Sequence, residues 1–218
     1  MCIKLLSQNE KRHIEEDEHI QMLLNAIKEV KPIYMEYVTQ VFKKGAVRKV
    51  VKRAERVFAY ELYHQFRKLM SEDCNYYLNG EIWKDNKVFK NSKVASCYPD
   101  LVLHGSLGCI DDGTQYFLCE IKMADNPQLL NDLDKLTNLS NTLLKFKNYI
   151  FLCVGLNKEQ LLRKIDFSFK KKLKKKYNSK IVCICVDIDK TRNINIDTFK
   201  YNILKIDNHP CVIVQYVL

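Results

Sequence analysis

Glycine, proline and long apolar runs are all scarce in this sequence. The 218 residues include only 6 Gly and 4 Pro, which excludes collagen-like chains, long flexible linkers and low-complexity segments. No apolar run reaches the roughly 20 residues that a helix needs to cross a bilayer. The first residues, 1–7, lead directly into charged sequence without the apolar segment of a secretory signal. We therefore expect a cytoplasmic protein with no membrane partner.

Paired cysteine motifs are also missing. The chain has 9 Cys, an odd number, and no two of them are spaced as Cys-x-x-Cys. Most lie inside apolar runs, as is typical of reduced, buried thiols in the cytoplasm. The spacing therefore argues against a structural zinc or an iron–sulfur cluster.

Acidic residues are outnumbered by basic ones. The sequence has 36 Lys and Arg against 26 Asp and Glu, a formal net charge of +10, while 47% hydrophobic residues indicate a globular chain. A charge of this size favours polyanionic partners. It predicts nucleic acid before an anionic membrane surface.

The N-terminal third has helical periodicity. Apolar residues recur at helical spacing in 8–30, again after Pro32 in 33–42, and most strongly in 46–70, with Gly45 as the break between the last two. We therefore predict a helical extension, 1–45, packed on an α/β domain, 46–218.

The rest of the chain alternates between strand and helix patterns. A helix is expected to begin at Asn126-Pro127, because Asn is a good N-cap and Pro suits the first helical position. Two continuous apolar runs flank a lysine-rich helix, 157–177, which predicts parallel strands joined by a crossover. The fold class is therefore α/β, with a central mixed sheet flanked by helices. The predicted strands are 76–83, 98–104, 115–123, 149–154, 181–188 and a terminal hairpin of 201–206 with 211–217.

Two ions of opposite charge share one face of the strand 115–123. Side chains alternate along a strand, so Glu120 and Lys122 lie on one face while Phe117, Cys119 and Ile121 lie on the other. Burying such ions costs several kcal/mol, about what a buried pair can recover. A solvated face or a simple ion pair would explain this pattern, unless neighbouring strands add further polar groups.

The preceding strand adds Asp100. If opposed residue numbers in a hairpin sum to 220, Asp100 lies across from Glu120 on the same face, and a wide loop spans 105–113. Two opposed carboxylates repel each other, and Mg²⁺ between them would remove that repulsion. In the competing register a tight turn at Asp112-Gly113 makes the numbers sum to 225 and moves Asp100 past Glu120.

Pro99-Asp100, then nineteen residues, then Glu120-Ile121-Lys122 resembles the PD-(D/E)xK nuclease motif. The resemblance covers about residues 46–188 and implies a restriction-endonuclease-like core. It implies that Asp100, Glu120 and the carbonyl of Ile121 bind Mg²⁺, or Mn²⁺, and that Lys122 is the catalytic cation that orients the attacking water. The implied activity is metal-dependent hydrolysis of DNA phosphodiester bonds.

The resemblance also implies a glutamate on the helix before the first core strand. Glu55 and Glu61 both lie in a wide apolar arc, and Glu61 is preferred because its segment resembles that helix more closely. An exonuclease of the RecB type would have Tyr four residues after Gln128, where this chain has Asp132. An endonuclease of restriction or repair type is therefore favoured.

A dense lysine segment is the predicted DNA contact. Its residues can neutralise phosphates, although a solvated helix face explains them equally well. His64 and His104 are expected to be structural, and Asp187 and Asp189 to be turn residues. The predicted contact residues are Lys170, Lys171, Lys172, Lys174, Lys175 and Lys176.

The sequence leaves a second function open. The same fold would serve as a catalytically silent module for nucleic-acid binding or assembly. An intact set of Asp100, Glu120 and Lys122 favours catalysis, whereas Lys122 held in an ordinary ion pair favours the silent module. RNA as the substrate and a homodimer also stay open.

Overall fold

The structure is a computed structural model that describes residues 17–80, 99–105, 115–140, 146–171, 180–188, 193–206 and 209–217. All structural statements below concern these residues. The helices are α1 (Glu18–Glu29), α2 (Pro32–Met35), α3 (Glu55–Leu69), α4 (Leu129–Leu139) and α5 (Lys158–Lys171). The strands are β1 (Glu36–Lys43), β2 (Ala46–Arg53), β3 (Tyr77–Gly80), β4 (Leu101–His104), β5 (Gln115–Met123), β6 (Asn148–Val154), β7 (Lys180–Ile188), β8 (Ile194–Ile206) and β9 (His209–Val217).

A seven-stranded sheet with the order β3-β4-β5-β6-β7-β8-β9 forms the centre of the fold. The pairs β5–β6 and β6–β7 are parallel, and the other pairs are antiparallel. Helix α5 connects the two parallel strands β6 and β7, as their continuous apolar sequences predict. The α/β class with a mixed sheet and a terminal hairpin is therefore confirmed.

Helices cover both faces of this sheet. On one face, side chains of α1 and α3 such as Leu23 and Phe66 pack against Phe117 and other β5 residues. On the other face, α4 and α5 pack their leucines against Val102 and Leu118. Because side chains alternate along β5, Glu120 and Lys122 project to the same face as Leu118, beneath α4.

The N-terminal third differs from its predicted helices. Helix α2 ends at Met35, and strands β1 and β2 replace the helix predicted over 33–42 and the first part of that over 46–70. Lys44 and Gly45 have φ angles of 53° and 74°, the left-handed conformation of a tight hairpin turn. Valines at helical spacing are also good strand formers, and the turn decides between the two patterns. The predicted domain boundary at 45 lies in this turn.

The pairing of β4 with β5 confirms the register in which residue numbers sum to 220. Leu101 pairs with Cys119, Val102 with Leu118 and Leu103 with Phe117, before an irregularity at His104. The tight-turn register is wrong. It would have shifted β5 by an odd number of residues and so turned its apolar face away from that of β4.

Candidate metal and catalytic site

Acidic and basic side chains from four parts of the fold meet at the end of β5. Asp100 directly precedes β4, Glu120 and Lys122 lie on β5, Glu55 opens α3, and Asp132 lies on α4. The strands bring Asp100, Glu120 and Lys122 together. Leu101 pairs with Cys119, so the preceding residue, Asp100, lies beside the next residue of β5, Glu120. The helices then add Glu55 and Asp132, as their contacts with Lys122 show.

Asp100 is held by the backbone of β5. Its Oδ2 accepts a hydrogen bond from the backbone N–H of Ile121, with a distance of 2.7 Å. The N–H and C=O of one strand residue point to the same side of the strand. The carbonyl oxygen of Ile121 therefore faces the side on which Asp100 lies, where a third oxygen ligand is expected.

Glu120 is a buried carboxyl beside another negative charge. It is 6% exposed, and burial, followed by the charge of Asp100, raises its pKa to about 8. The neighbouring cation of Lys122 lowers this pKa but does not offset the other two effects. A divalent cation between Asp100 and Glu120 would provide the missing positive charge, so this oxygen-rich pair suits Mg²⁺.

Lys122 lies among three carboxylates. Its Nζ is 2.8 Å from Glu55 Oε1, 3.8 Å from Asp132 Oδ2 and 3.9 Å from Asp100 Oδ2. Burial alone would lower the pKa of Lys122, but the hydrogen bond that its ammonium donates to Glu55 and the charge of Asp100 raise it above its ordinary value. The side chain is therefore a fixed cation and not a neutral base in this arrangement.

The structure brings Glu55, rather than Glu61, to this site. Besides its contact with Lys122, Glu55 Oε2 accepts hydrogen bonds from Asn126 Nδ2 at 3.2 Å and from the backbone N–H of Met123 at 3.4 Å. Glu61 accepts instead from Gln65 Nε2 at 2.6 Å. Six residues turn an α-helix by about 600°, which places the two glutamates on different sides of α3.

Asp132 and Lys135 are site residues that the sequence reasoning missed. Asp132 is 5% exposed, and its Oδ1 lies 2.6 Å from Lys135 Nζ while its Oδ2 faces Lys122. A signal was present: Asp132 lies three residues after Leu129 and four before Leu136, both of which are buried. A carboxylate inside an apolar helical stripe is expected to be buried and paired.

A cleft of about 550 Å³ opens beside the site. Glu55 and Asp100 form part of its wall, with Asn79 of the edge strand β3 and the side chains of Arg56 and Tyr60 from α3. Tyr60 is 65% exposed. The cleft therefore offers carboxylates, a guanidinium and an aromatic ring to a ligand that approaches from solvent.

The other sequence candidates lie apart from this chemistry. His104 is buried, its Nδ1 is 2.7 Å from the carbonyl oxygen of Gly105, and its Nε2 is 2.6 Å from Asn79 Nδ2. Both ring nitrogens are therefore held by polar groups of the surrounding fold. His64 is exposed on α3, and Asp187 accepts from the N–H of Ile188.

Part of the predicted lysine segment lies outside the described residues. Lys170 and Lys171 end α5, but their side chains are not among those described. Lys172, Lys174, Lys175, Lys176 and Asp189 all fall outside the described ranges. The predicted DNA contact through this segment stays a prediction.

Comparison with protein-family models, with curated proteins and with solved structures finds no match for this chain. Within the described ranges, no three His, Cys, Asp or Glu side chains form a group able to hold a metal ion. The candidate site thus offers two carboxylates and a carbonyl, and Mg²⁺ commonly takes only one or two carboxylates from a protein. No helix in the described part of the chain is long and apolar enough to cross a membrane.

Proposed function

We propose that this protein is a Mg²⁺-dependent nuclease that hydrolyses DNA phosphodiester bonds, with a restriction-endonuclease-like core. The observation that carries the proposal is the meeting of three side chains beside an open cleft. Asp100 and Glu120 come from adjacent strands, and Lys122 lies on the same face within 3.9 Å of Asp100. The net charge of +10 suits a nucleic-acid substrate.

The order of elements supports the same proposal. Helix α3 precedes the three antiparallel strands β3, β4 and β5, then α4 follows, and β6 adds to the sheet parallel to β5. The resemblance noted in the sequence implies strands that carry the motif with helices before and after them. Asp100 directly precedes β4, and Glu120 and Lys122 lie on the neighbouring strand β5, in the middle of this unit.

In the proposed reaction, Asp100, Glu120 and the carbonyl of Ile121 would hold the cation. Bound Mg²⁺ would polarise a phosphoryl oxygen and lower the pKa of a water molecule. Lys122 would orient the attacking water and stabilise the charge that develops on the phosphate, because its ammonium is already fixed before substrate binds. Glu55 and Asp132 position Lys122 through the contacts described above.

One observation favours the silent binding module as a second candidate. The 2.8 Å contact between Lys122 and Glu55 is an ion pair that a purely structural site would also contain. In that case Lys122 would stay with Glu55 when DNA binds, and no divalent metal would be needed. The two candidates therefore differ in metal dependence and in turnover.

The test is cleavage of supercoiled plasmid and of duplex oligonucleotides with Mg²⁺ or Mn²⁺. Asp100→Asn, Glu120→Gln and Lys122→Met should each reduce the rate by about 10²-fold or more, as expected for groups that act in the transition state. Matched control variants are Glu72→Gln and Lys28→Met, since both side chains are exposed on other parts of the chain. These controls should cut like the wild-type protein.

Binding without metal-dependent cleavage of DNA would support the silent module and contradict the nuclease. Cleavage that survives in Asp100→Asn and Glu120→Gln would also contradict the site assignment. Single-stranded and duplex RNA are tested under the same conditions, and a preference for either would exclude DNA as the substrate.

A further inference from the structure

We propose that the β1–β2 hairpin is an arm that binds duplex DNA beside the candidate site. The two strands pair from Glu36 with Arg53 to Lys43 with Ala46 and form a sheet of their own, separate from the seven-stranded sheet. At about 3.4 Å per residue, strands of this length extend for roughly 27 Å. The role in delivering DNA to the site rests on the proposed function, whereas DNA binding by the arm can be tested alone.

Both faces of the hairpin are exposed. Along β1, side chains on opposite faces such as Tyr37 and Val38 are 46% and 58% exposed, and Phe42 near the turn is 79% exposed. Val47, the partner of Phe42, is 51% exposed. A two-stranded ribbon without a covering layer is marginal in stability on its own. The exposed arm is therefore better explained by a ligand than by a role in the core.

The charge of the arm indicates what that ligand is. Residues 36–53 contain six basic residues and a single acidic one, Glu36. Arg48 and Lys52 lie on one face of the ribbon and Lys49 on the other, because side chains alternate along β2, and Lys44 is exposed in the turn. Such a strip of positive charge repels a second copy of the chain and attracts a polyanion.

Duplex DNA fits this ribbon better than other polyanions. The major groove of B-DNA is about 12 Å wide and admits a two-stranded β-ribbon, with phosphates along both sides of it. The major groove of duplex RNA is too deep and narrow for side chains to enter. The apolar pair of Phe42 and Val47 near the turn would then contact base edges, for example thymine methyl groups.

The arm is attached next to the candidate site. Strand β2 ends at Arg53, and Glu55, which contacts Lys122, follows two residues later. The guanidinium of Arg53 packs over Gly155 at the end of β6, so closely that a Cβ at position 155 would clash with it. Gly155 also has a φ of 89°, which favours glycine. DNA bound along the arm would therefore reach the edge of the cleft.

The test is binding of a fluorescent DNA duplex, measured by anisotropy in EDTA over a range of salt concentrations, so that cleavage does not interfere. The variant Arg48→Gln/Lys49→Gln/Lys52→Gln removes three exposed charges without altering the turn. It should weaken binding about tenfold or more and reduce the slope of log K against log salt by roughly 2–3, as the loss of three phosphate contacts predicts. Circular dichroism should show an unchanged fold.

A charge-matched control is Lys28→Gln/Arg67→Gln/Lys68→Gln, whose side chains are exposed on α1 and at the far end of α3. It should change the affinity less than threefold. Equal weakening in both variants would show a nonspecific effect of net charge and would overturn the proposal. Wild-type affinity of the arm variant for the duplex would also overturn the proposal. A loss of affinity seen only with single-stranded DNA or with RNA would overturn it as well.

The proposal that the arm binds DNA and the proposal that the protein is a nuclease would fail with different results. If only the proposal about the arm is wrong, the arm variant binds DNA with wild-type affinity and cuts it at the wild-type rate in Mg²⁺. If only the nuclease is wrong, the arm variant still loses affinity for DNA while no variant or wild-type protein cuts it. Asp100→Asn leaves the arm intact and should bind the duplex in EDTA as tightly as the wild-type protein.

Discussion

Asp100 Oδ2 accepts a 2.7 Å hydrogen bond from the backbone N–H of Ile121. This bond connects the residue before β4 to the position on β5 between Glu120 and Lys122. The bond fixes the Asp100 carboxylate next to Glu120 and Lys122 without using either side chain. The negative charge of Asp100 then adds to burial in raising the pKa of the Glu120 carboxyl. The predictions below follow from this arrangement of charges.

Glu120 should make stability fall as pH rises. Its pKa is about 8 in the folded protein against an ordinary value of 4.5, so the folded state binds more protons between these values, and folding stability decreases from pH 4.5 to 8. Glu120→Gln removes this loss. The metal-free variant should gain up to roughly 5 kcal/mol over the wild-type protein at pH 9, because the pKa rises from 4.5 to about 8 at about 1.4 kcal/mol per unit, and much less at pH 5. Urea unfolding at both pH values measures the difference, and equal effects at both would show that Glu120 titrates normally.

Metal binding should release a proton from Glu120. Below pH 8 the metal-free carboxyl is mostly protonated, and a divalent cation binds its ionised form. Mg²⁺ or Mn²⁺ should therefore bind more tightly as pH rises from 6 to 8, with most of one proton released per ion at pH 7. Calorimetry in buffers of different ionisation enthalpy measures this number. Asp100→Asn should abolish the binding, and metal binding without proton release would contradict the account.

Glu55 should matter more than Glu61 for cleavage. Glu55→Gln keeps the size of the side chain but removes the ion pair with Lys122, so the ammonium loses its principal partner. We expect kcat to fall by about 10-fold or more with little change in KM, because a fixed cation acts mainly in the transition state. Glu61→Gln, which alters only a contact with Gln65, should have a far smaller effect. The reverse order would restore the preference drawn from the sequence.

Asp132 should position Lys122 together with Glu55. Asp132→Asn leaves a buried polar group next to Lys122 and Lys135 but removes its charge, which lowers the attraction on both cations. The expected results are a modest loss of stability, on the order of 1–2 kcal/mol, and a shift of the pH–rate profile. A purely structural Asp132 would change the unfolding midpoint and leave the pH profile of the folded enzyme as it was.

The strand pairing could be predicted from the sequence, and the helix contacts could not. Alternation along residues 115–123 and one assumed loop were enough to place Asp100 opposite Glu120, because the period of a strand is fixed at two residues. Glu55 and Asp132 reach Lys122 only through the packing of α3 and α4 on the sheet, which no local pattern encodes. The spacing of Val47, Val50 and Val51 predicts a helix where the arm forms strands, because valine suits either structure, and a glycine at position 45 is compatible with a helix break as well as with the observed turn at Lys44-Gly45.

The central claim, that Asp100 and Glu120 share a divalent metal ion, is tested most directly by anomalous diffraction from crystals grown with Mn²⁺. The account predicts one strong anomalous peak between the two carboxylates and within coordination distance of the Ile121 carbonyl oxygen, about 2.0–2.4 Å. The peak should be absent in Glu120→Gln crystals grown in the same way. A map with no peak there, in which Lys122 is still paired with Glu55, would contradict the account.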